Sequence, residues 1–85
     1  MITDKEILKK QIIYRSMHRG TKEMDLLLGN FVKKHIDKLD SNELMDLDKL
    51  LFIEDETIYK WYFENNSNNI IPNTKVSAML KNFKL

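Results

Sequence analysis

The chain has 85 residues, with 14 Lys and Arg against 13 Asp and Glu and a formal net charge of +1 at pH 7. A chain of this length is expected to fold as one small domain over residues 1–85, too small for a deep enclosed pocket, and its near-neutral charge argues against a nucleic-acid partner. It has no cysteine, which excludes a disulfide framework, a thiol nucleophile and a Cys-ligated metal.

The first residues, MITDKEILKK, mix acids with lysines and have no apolar signal region. No apolar run approaches the ~20 residues needed to span a bilayer, so direct membrane insertion is not expected. These features predict a bacterial cytoplasmic protein.

Helical spacing of apolar residues begins near the N-terminus. A first helix is predicted over residues 5–18, and its apolar residues are Ile7, Leu8, Ile12, Ile13 and Met17. Gly20 is expected to end it in the left-handed conformation that often follows a helix. The second helix has a clearer stripe on one face, made of Met24, Leu27, Leu28, Phe31, Val32 and His35.

The second half of the chain predicts three more helices. Asp40 and Glu43 resemble a capping pair before a leucine-rich helix, and its apolar residues are Leu44, Leu47, Leu50 and Leu51. The segment EDETIYKWYFE starts with acids, as helix N-termini often do, and is rich in aromatic residues. After an Asn-rich loop, Thr74 is positioned to cap a last helix. The predicted fold is therefore an all-α bundle of five helices.

Two sets of apolar residues require interpretation. At helical spacing, Met17, Met24, Met45 and Met79 are expected to fill the core. Trp61 is also expected to face the core. The aromatic segment is too apolar for every side chain to be buried, so at least Tyr59 or Phe63 is expected to point elsewhere.

Few residues support a catalytic interpretation. His18 and His35 lie on different predicted helices and in no metal-binding motif, and His35 is expected to be half-buried at the end of its helix. Gly20 and Gly29 form no nucleotide-binding motif. The sequence therefore predicts no catalytic residue and no metal ligand, and a protein that is not an enzyme.

The strongest signal lies in YRSMHRGTKEMD, which contains the chain's two arginines, Arg15 and Arg19. Arginine provides a planar group that binds carboxylates with two parallel hydrogen bonds, which lysine cannot do. One interpretation is a helix–turn–helix corner held by an Arg–carboxylate pair with Glu23 or Asp25. The other is a partner-binding patch, whose candidate residues are Arg15, His18, Arg19, Gly20, Glu23 and Asp25.

Arg19-Gly20-x-x-Glu23, followed by Asp25 and the segment LLLGNF, resembles the R-G-x-x-E signature of the SdhE/YgfY family. The similarity extends to LDKLL, to Asp55 with the segment IYKW that contains Tyr59-x-Trp61, and to the closing helix after the loop. The family's mitochondrial relatives are the succinate dehydrogenase flavinylation factors. His18 and Thr21 depart from the family, many of whose members have a basic residue and a methionine there.

The resemblance implies a five-helix fold and binding to the flavoprotein subunit of succinate dehydrogenase, with the fumarate reductase flavoprotein as a second client in some bacteria. It implies that binding promotes covalent attachment of FAD to a histidine of that subunit, and it assigns this role to Arg19, Gly20 and Glu23, and less directly to Asp25. Because a chain of this size has little room for a dinucleotide, no stably bound FAD is expected. The alternative function is an antitoxin-like or regulatory interaction module.

Overall fold

The computed structural model describes residues 3–67 and 69–85. Within these residues it has five α-helices and no strand, which confirms the predicted all-α fold. The helices are α1 (Asp4–Met17), α2 (Lys22–His35), α3 (Ser41–Leu51), α4 (Asp55–Phe63) and α5 (Lys75–Asn82). None of the helices in these two ranges is long and apolar enough to cross a membrane.

The core is built mainly from α2 and α3, as their apolar spacing predicts. On α2 the stripe from Met24 to Val32 is buried, and on α3 all four predicted leucines are buried. Helix α1 packs against both α2 and α3, and α5 packs against α3. Lys9 Nζ lies 3.2 Å from Asp37 Oδ1, so the start of α1 lies beside the end of α2 and the two helices run antiparallel.

Side chains cap the starts of α1, α2, α3 and α5. Asp40 and Glu43 form the predicted capping box, because each side chain accepts a hydrogen bond from the other residue's backbone N–H. Thr74 caps α5 as predicted, and Thr21 caps α2 in the same way, through the N–H of Met24. The starts of these helices therefore follow from short-range sequence signals.

The apolar residues of α1 are more exposed than their spacing predicts. Ile12 is fully buried, but Ile7, Ile13 and Met17 are all more than 40% exposed. Of the methionines expected in the core, Met24 is buried and Met79 is partly buried, whereas Met17 and Met45 are exposed. The expectation was wrong for Met17 because α1 has neighbours on only part of its circumference, and most of its apolar side chains lie outside that contact. It was wrong for Met45 because this residue lies on α3 outside the buried stripe of leucines.

Helix α4 is attached by one buried residue and several polar contacts. Ile58 is its fully buried side chain, while Trp61 and Tyr62 are partly buried against the core. The Tyr62 hydroxyl donates to the Phe83 carbonyl, and the Lys81 ammonium donates to the Trp61 carbonyl. Tyr59 and Phe63 are both exposed, which confirms that the aromatic segment does not bury every ring.

His35 is half-buried at the end of α2, as expected. Its ring contacts those of Phe31 and Phe83. Loss of solvent around the ring lowers the pKa of His35 below its usual 6.5, and the positive charges of Lys34 and Lys38 lower it further. The neutral imidazole is therefore favoured in the folded protein.

Met24 and Met45 provide a matched test of the core. Met24 is fully buried and Met45 is 50% exposed. Met24→Ala is expected to lower the free energy of unfolding by about 2–5 kcal/mol, because it removes buried apolar surface and leaves a cavity. Met45→Ala is expected to change it by less than about 0.5 kcal/mol. Urea unfolding followed by circular dichroism measures both values, and equal losses would contradict this description of the core.

Candidate functional site

Arg19 lies in the connection between α1 and α2, and its side chain is directed into the protein, with only 9% of it exposed. Nε donates to Asp55 Oδ1 at 2.7 Å. Nη1 donates to the Leu51 carbonyl at 2.6 Å, and Nη2 donates to the Ile53 carbonyl at 2.9 Å. The guanidinium thus binds a carboxylate and two carbonyls of its own chain. We call Arg19, Gly20 and Asp55 the Arg19 corner.

The charges in the Arg19 corner suit the helix ends that they contact. Leu51 is the last residue of α3, where the carbonyls lack partners within the helix and carry partial negative charge. Asp55 is the first residue of α4, where the helix carries partial positive charge. Arg19 therefore joins the end of α3 to the start of α4, and each charge is also stabilised by a helix dipole.

Gly20 allows a close approach between backbone and carboxylate. Its N–H donates to Asp55 Oδ2 at 2.6 Å, and a Cβ at this position would lie 3.0 Å from the same oxygen. No glycine among the described residues has a positive φ, so the expectation of a left-handed residue here was wrong. Glycine favours this close approach, because a side chain here would require the Asp55 carboxylate to shift by a few tenths of an ångström.

The structure also corrects the predicted carboxylate partner of Arg19. Asp25 accepts a hydrogen bond from the Arg19 backbone N–H at 2.8 Å, and it makes no ion pair with the guanidinium among the described residues. Glu23 is exposed in the first turn of α2 and forms no ion pair within residues 3–67 and 69–85. The side chain of Arg19 turns away from α2 because the free carbonyls lie at the end of α3.

The other two candidate residues lie on the adjoining surface of α1. Arg15 Nη1 lies 2.7 Å from Asp48 Oδ1, and the guanidinium lies 4.3 Å from the centre of the Phe52 ring. The His18 ring stacks on Tyr14 at 3.9 Å, and its Nδ1 donates to the Tyr14 carbonyl at 2.7 Å. These contacts hold the exposed His18 ring against Tyr14 at the surface.

The structure brings together Arg19, Gly20 and Asp25, and it places His18 and Glu23 on the surface beside them. The candidate set omitted Asp55, which is 36 residues from Arg19 in the sequence. In the sequence, Asp55 stands among the acids that begin α4 and among the residues of the family resemblance, but neither signal pairs it with Arg19. The described residues contain no group of three or more His, Cys, Asp or Glu that could hold a metal ion.

A family model for Sdh5, described as the flavinator of succinate dehydrogenase, matches residues 10–84. The chain is 40% identical over 78 residues to a Meyerozyma guilliermondii protein named succinate dehydrogenase assembly factor 2, mitochondrial; the match covers 91% of this chain and 58% of the relative. It is 32% identical over 73 residues to the FAD assembly factor SdhE of Acetobacter pasteurianus, covering 86% of this chain and 64% of the relative.

A Dictyostelium discoideum protein, also named succinate dehydrogenase assembly factor 2, mitochondrial, is 42% identical over 60 residues, which are 71% of this chain and 43% of that protein. The chain thus spans about half the length of the mitochondrial relatives that it matches. No solved structure gives a significant match.

The two arginines provide a matched test of the Arg19 corner. Arg19→Lys is expected to lower the free energy of unfolding by about 2–3 kcal/mol, because lysine cannot satisfy the carboxylate and both carbonyls from a largely buried position. Arg15→Lys is expected to cost less than about 1 kcal/mol, because the Arg15 side chain is 31% exposed and has one ionic partner. Urea unfolding measures both. Equal costs would show that the internal contacts of Arg19 contribute no special stability.

Proposed function

The chain belongs to the Sdh5 family, the flavinators of succinate dehydrogenase, and we propose from this that it binds the flavoprotein subunit of succinate dehydrogenase and promotes covalent attachment of FAD to that subunit. The names of its relatives, succinate dehydrogenase assembly factor 2 and FAD assembly factor SdhE, support the proposal. Both the mitochondrial names and the bacterial one are compatible with this function, and a bacterial cytoplasmic location stays a prediction.

The single observation that carries the proposal is the match of the Sdh5 family model to residues 10–84. The geometry that supports a docking role is the internal use of the Arg19 guanidinium. Its contacts fix the position of the α1–α2 connection relative to α3 and α4 before any partner binds. The exposed carboxylate of Glu23 and the exposed ring of His18 lie beside this fixed connection. A surface that is ordered in advance loses less conformational entropy on binding, so its polar contacts contribute more to affinity. The corner is therefore suited to dock on a polar surface of a protein.

In this proposal, Arg19, Gly20 and Asp25 position the docking surface, and Glu23 and His18 contact the partner directly. Arg15 holds α1 against α3 through Asp48. This division gives every candidate residue a role and requires no catalytic group from the chain.

The proposed mechanism is positional. The protein holds the flavoprotein subunit so that its bound FAD and the acceptor histidine lie within reacting distance. Restricting two reactants to a productive geometry contributes several kcal/mol to lowering a barrier, so an assembly factor can accelerate attachment without supplying an acid, a base or a nucleophile. The flavoprotein subunit of fumarate reductase is a second proposed client, as the family resemblance implies.

Glu23 and Glu6 provide a matched test of the docking surface. Both are exposed acids in the first turn of a helix. In cells that lack their own factor and co-express the flavoprotein subunit, Glu23→Gln is expected to lower covalently attached flavin about tenfold, because the loss of one charge-assisted hydrogen bond costs about 1.5–3 kcal/mol. Glu6→Gln is expected to match the parent.

Flavin fluorescence of the subunit in denaturing gels measures the attachment, and thermal melts of both variants check folding. Parental flavin levels with Glu23→Gln would remove Glu23 from the interface. Failure of the parent protein to increase covalent flavin at all would contradict the proposed function.

A second test concerns FAD itself. We expect the isolated protein not to bind FAD at micromolar concentrations, because it has no glycine-rich phosphate loop and FAD is proposed to reside in the client. Titration of FAD with increasing protein, followed by flavin fluorescence, measures binding. Saturable quenching with a micromolar Kd would instead indicate an FAD carrier.

A further inference from the structure

An open groove of about 610 Å³ lies between α1 and α2. Three exposed apolar side chains contribute to its lining: Ile13, Met17 and Leu26 are 41%, 60% and 49% exposed. Apolar side chains that are exposed together, with polar groups around them, are typical of surfaces that bind another molecule. We call this feature the α1–α2 groove.

Gly29 lies in the lining of the groove, in the interior of α2. A Cβ at this position would meet only the Ser16 carbonyl oxygen, at an ordinary contact distance of 3.8 Å. The packing of α1 on α2 therefore does not require glycine here. Because glycine disfavours a helix relative to alanine, its presence weakens α2 without improving the fold. Its effect on the surface is to leave the groove free of a side chain.

The groove is continuous with the Arg19 corner. Asp25 accepts the Arg19 N–H and also lines the groove, and Met17 directly precedes His18. From Asp25 to Lys33 the groove follows α2 over eight residue steps, which correspond to about 12 Å or two helical turns. A partner that docks at the Arg19 corner is therefore positioned to contact the α1–α2 groove as well.

The charged side chains that line the groove indicate which charge a bound partner segment carries. Lys33 lines the groove and forms no ion pair with the residues that the structure describes, whereas Asp37, also in the lining, is paired with Lys9. The available charge at the end away from the corner is thus positive. A carboxylate opposite Lys33 would complement it, and an apolar face would cover Met17 and Leu26.

We propose that the α1–α2 groove binds an amphipathic helix of the flavoprotein subunit, with its apolar face on Ile13, Met17 and Leu26 and an acidic residue opposite Lys33. The proposal rests on the function proposed above and extends the docking surface from the Arg19 corner along α2. Proteins commonly recognise a partner by binding the apolar face of a partner helix in a groove between two of their own helices.

Gly29 gives the most direct test, because a side chain at this position enters the groove. Gly29→Leu is expected to bind the purified flavoprotein subunit about tenfold more weakly, and a thermal melt checks that the variant is folded. Gly29→Ala is expected to raise Tm by about 4–8 °C and to weaken binding less than Gly29→Leu does. Calorimetric titration gives Kd. Parental affinity of a folded Gly29→Leu variant would overturn the proposal.

Met17 and Met45 give an independent test with a matched control. Both are exposed methionines, but Met17 lines the groove and Met45 lies on α3. Met17→Glu is expected to weaken binding of the subunit about tenfold, and Met45→Glu is expected to bind like the parent. Equal effects of the two substitutions would overturn the assignment of the groove.

The binding results distinguish failure of the groove proposal from failure of the proposed function on which it rests. If the parent does not bind the flavoprotein subunit, both fail. If Glu23→Gln weakens binding and Gly29→Leu and Met17→Glu do not, the groove proposal alone fails. If the parent is a dimer in analytical ultracentrifugation, and Gly29→Leu is a monomer with unchanged affinity for the subunit, the groove binds a second copy and the proposal is overturned.

Discussion

The contacts of the Arg19 guanidinium fix the α1–α2 connection against the end of α3 and the start of α4, and so link four of the five helices. Arg19 enters from the α1–α2 connection and binds the end of α3, the turn after it and the start of α4. Helix α4 buries only Ile58 completely, so its position depends on such polar contacts more than those of α2 and α3 do. The cost of removing a charge from water is offset here because a carboxylate and two carbonyls satisfy the guanidinium.

The corner also explains why glycine follows the arginine. Asp55 accepts hydrogen bonds through both of its oxygens, one from the Arg19 side chain and one from the Gly20 backbone. These two donors fix the orientation of the carboxylate, and any side chain at position 20 would compete for the space that it occupies. The arginine, the glycine and the acid therefore form one structural unit. Glu23 is outside this unit and is free to interact elsewhere.

Short-range features of the molecule were predictable from sequence, and long-range features were not. The helices and caps follow from residues within one or two turns, which is why the stripe of α2 and the capping box at Asp40 were predicted correctly. The acid that pairs with Arg19 depends on how α3 and α4 meet, so Glu23 and Asp25 were reasonable but wrong choices as ion-pair partners. The exposure of Met17 likewise depends on which side of α1 is left without a neighbour. The family resemblance could be inferred from the order of motifs along the chain, because that order can be read without knowledge of these contacts.

The distance in sequence between Arg19 and Asp55 has a consequence for synthesis of the protein. Residues 4–35 contain both helices of the α1–α2 hairpin and leave the ribosome first, but the Asp55 carboxylate that the Arg19 side chain binds has not yet been made. Its partners at Leu51, Ile53 and Asp55 are made only after α3 is complete. An unfinished chain therefore contains the R-G-x-x-E motif without the ordered surface around it. The order of translation thereby restricts ordered docking to chains in which α3 and the start of α4 have been made and folded.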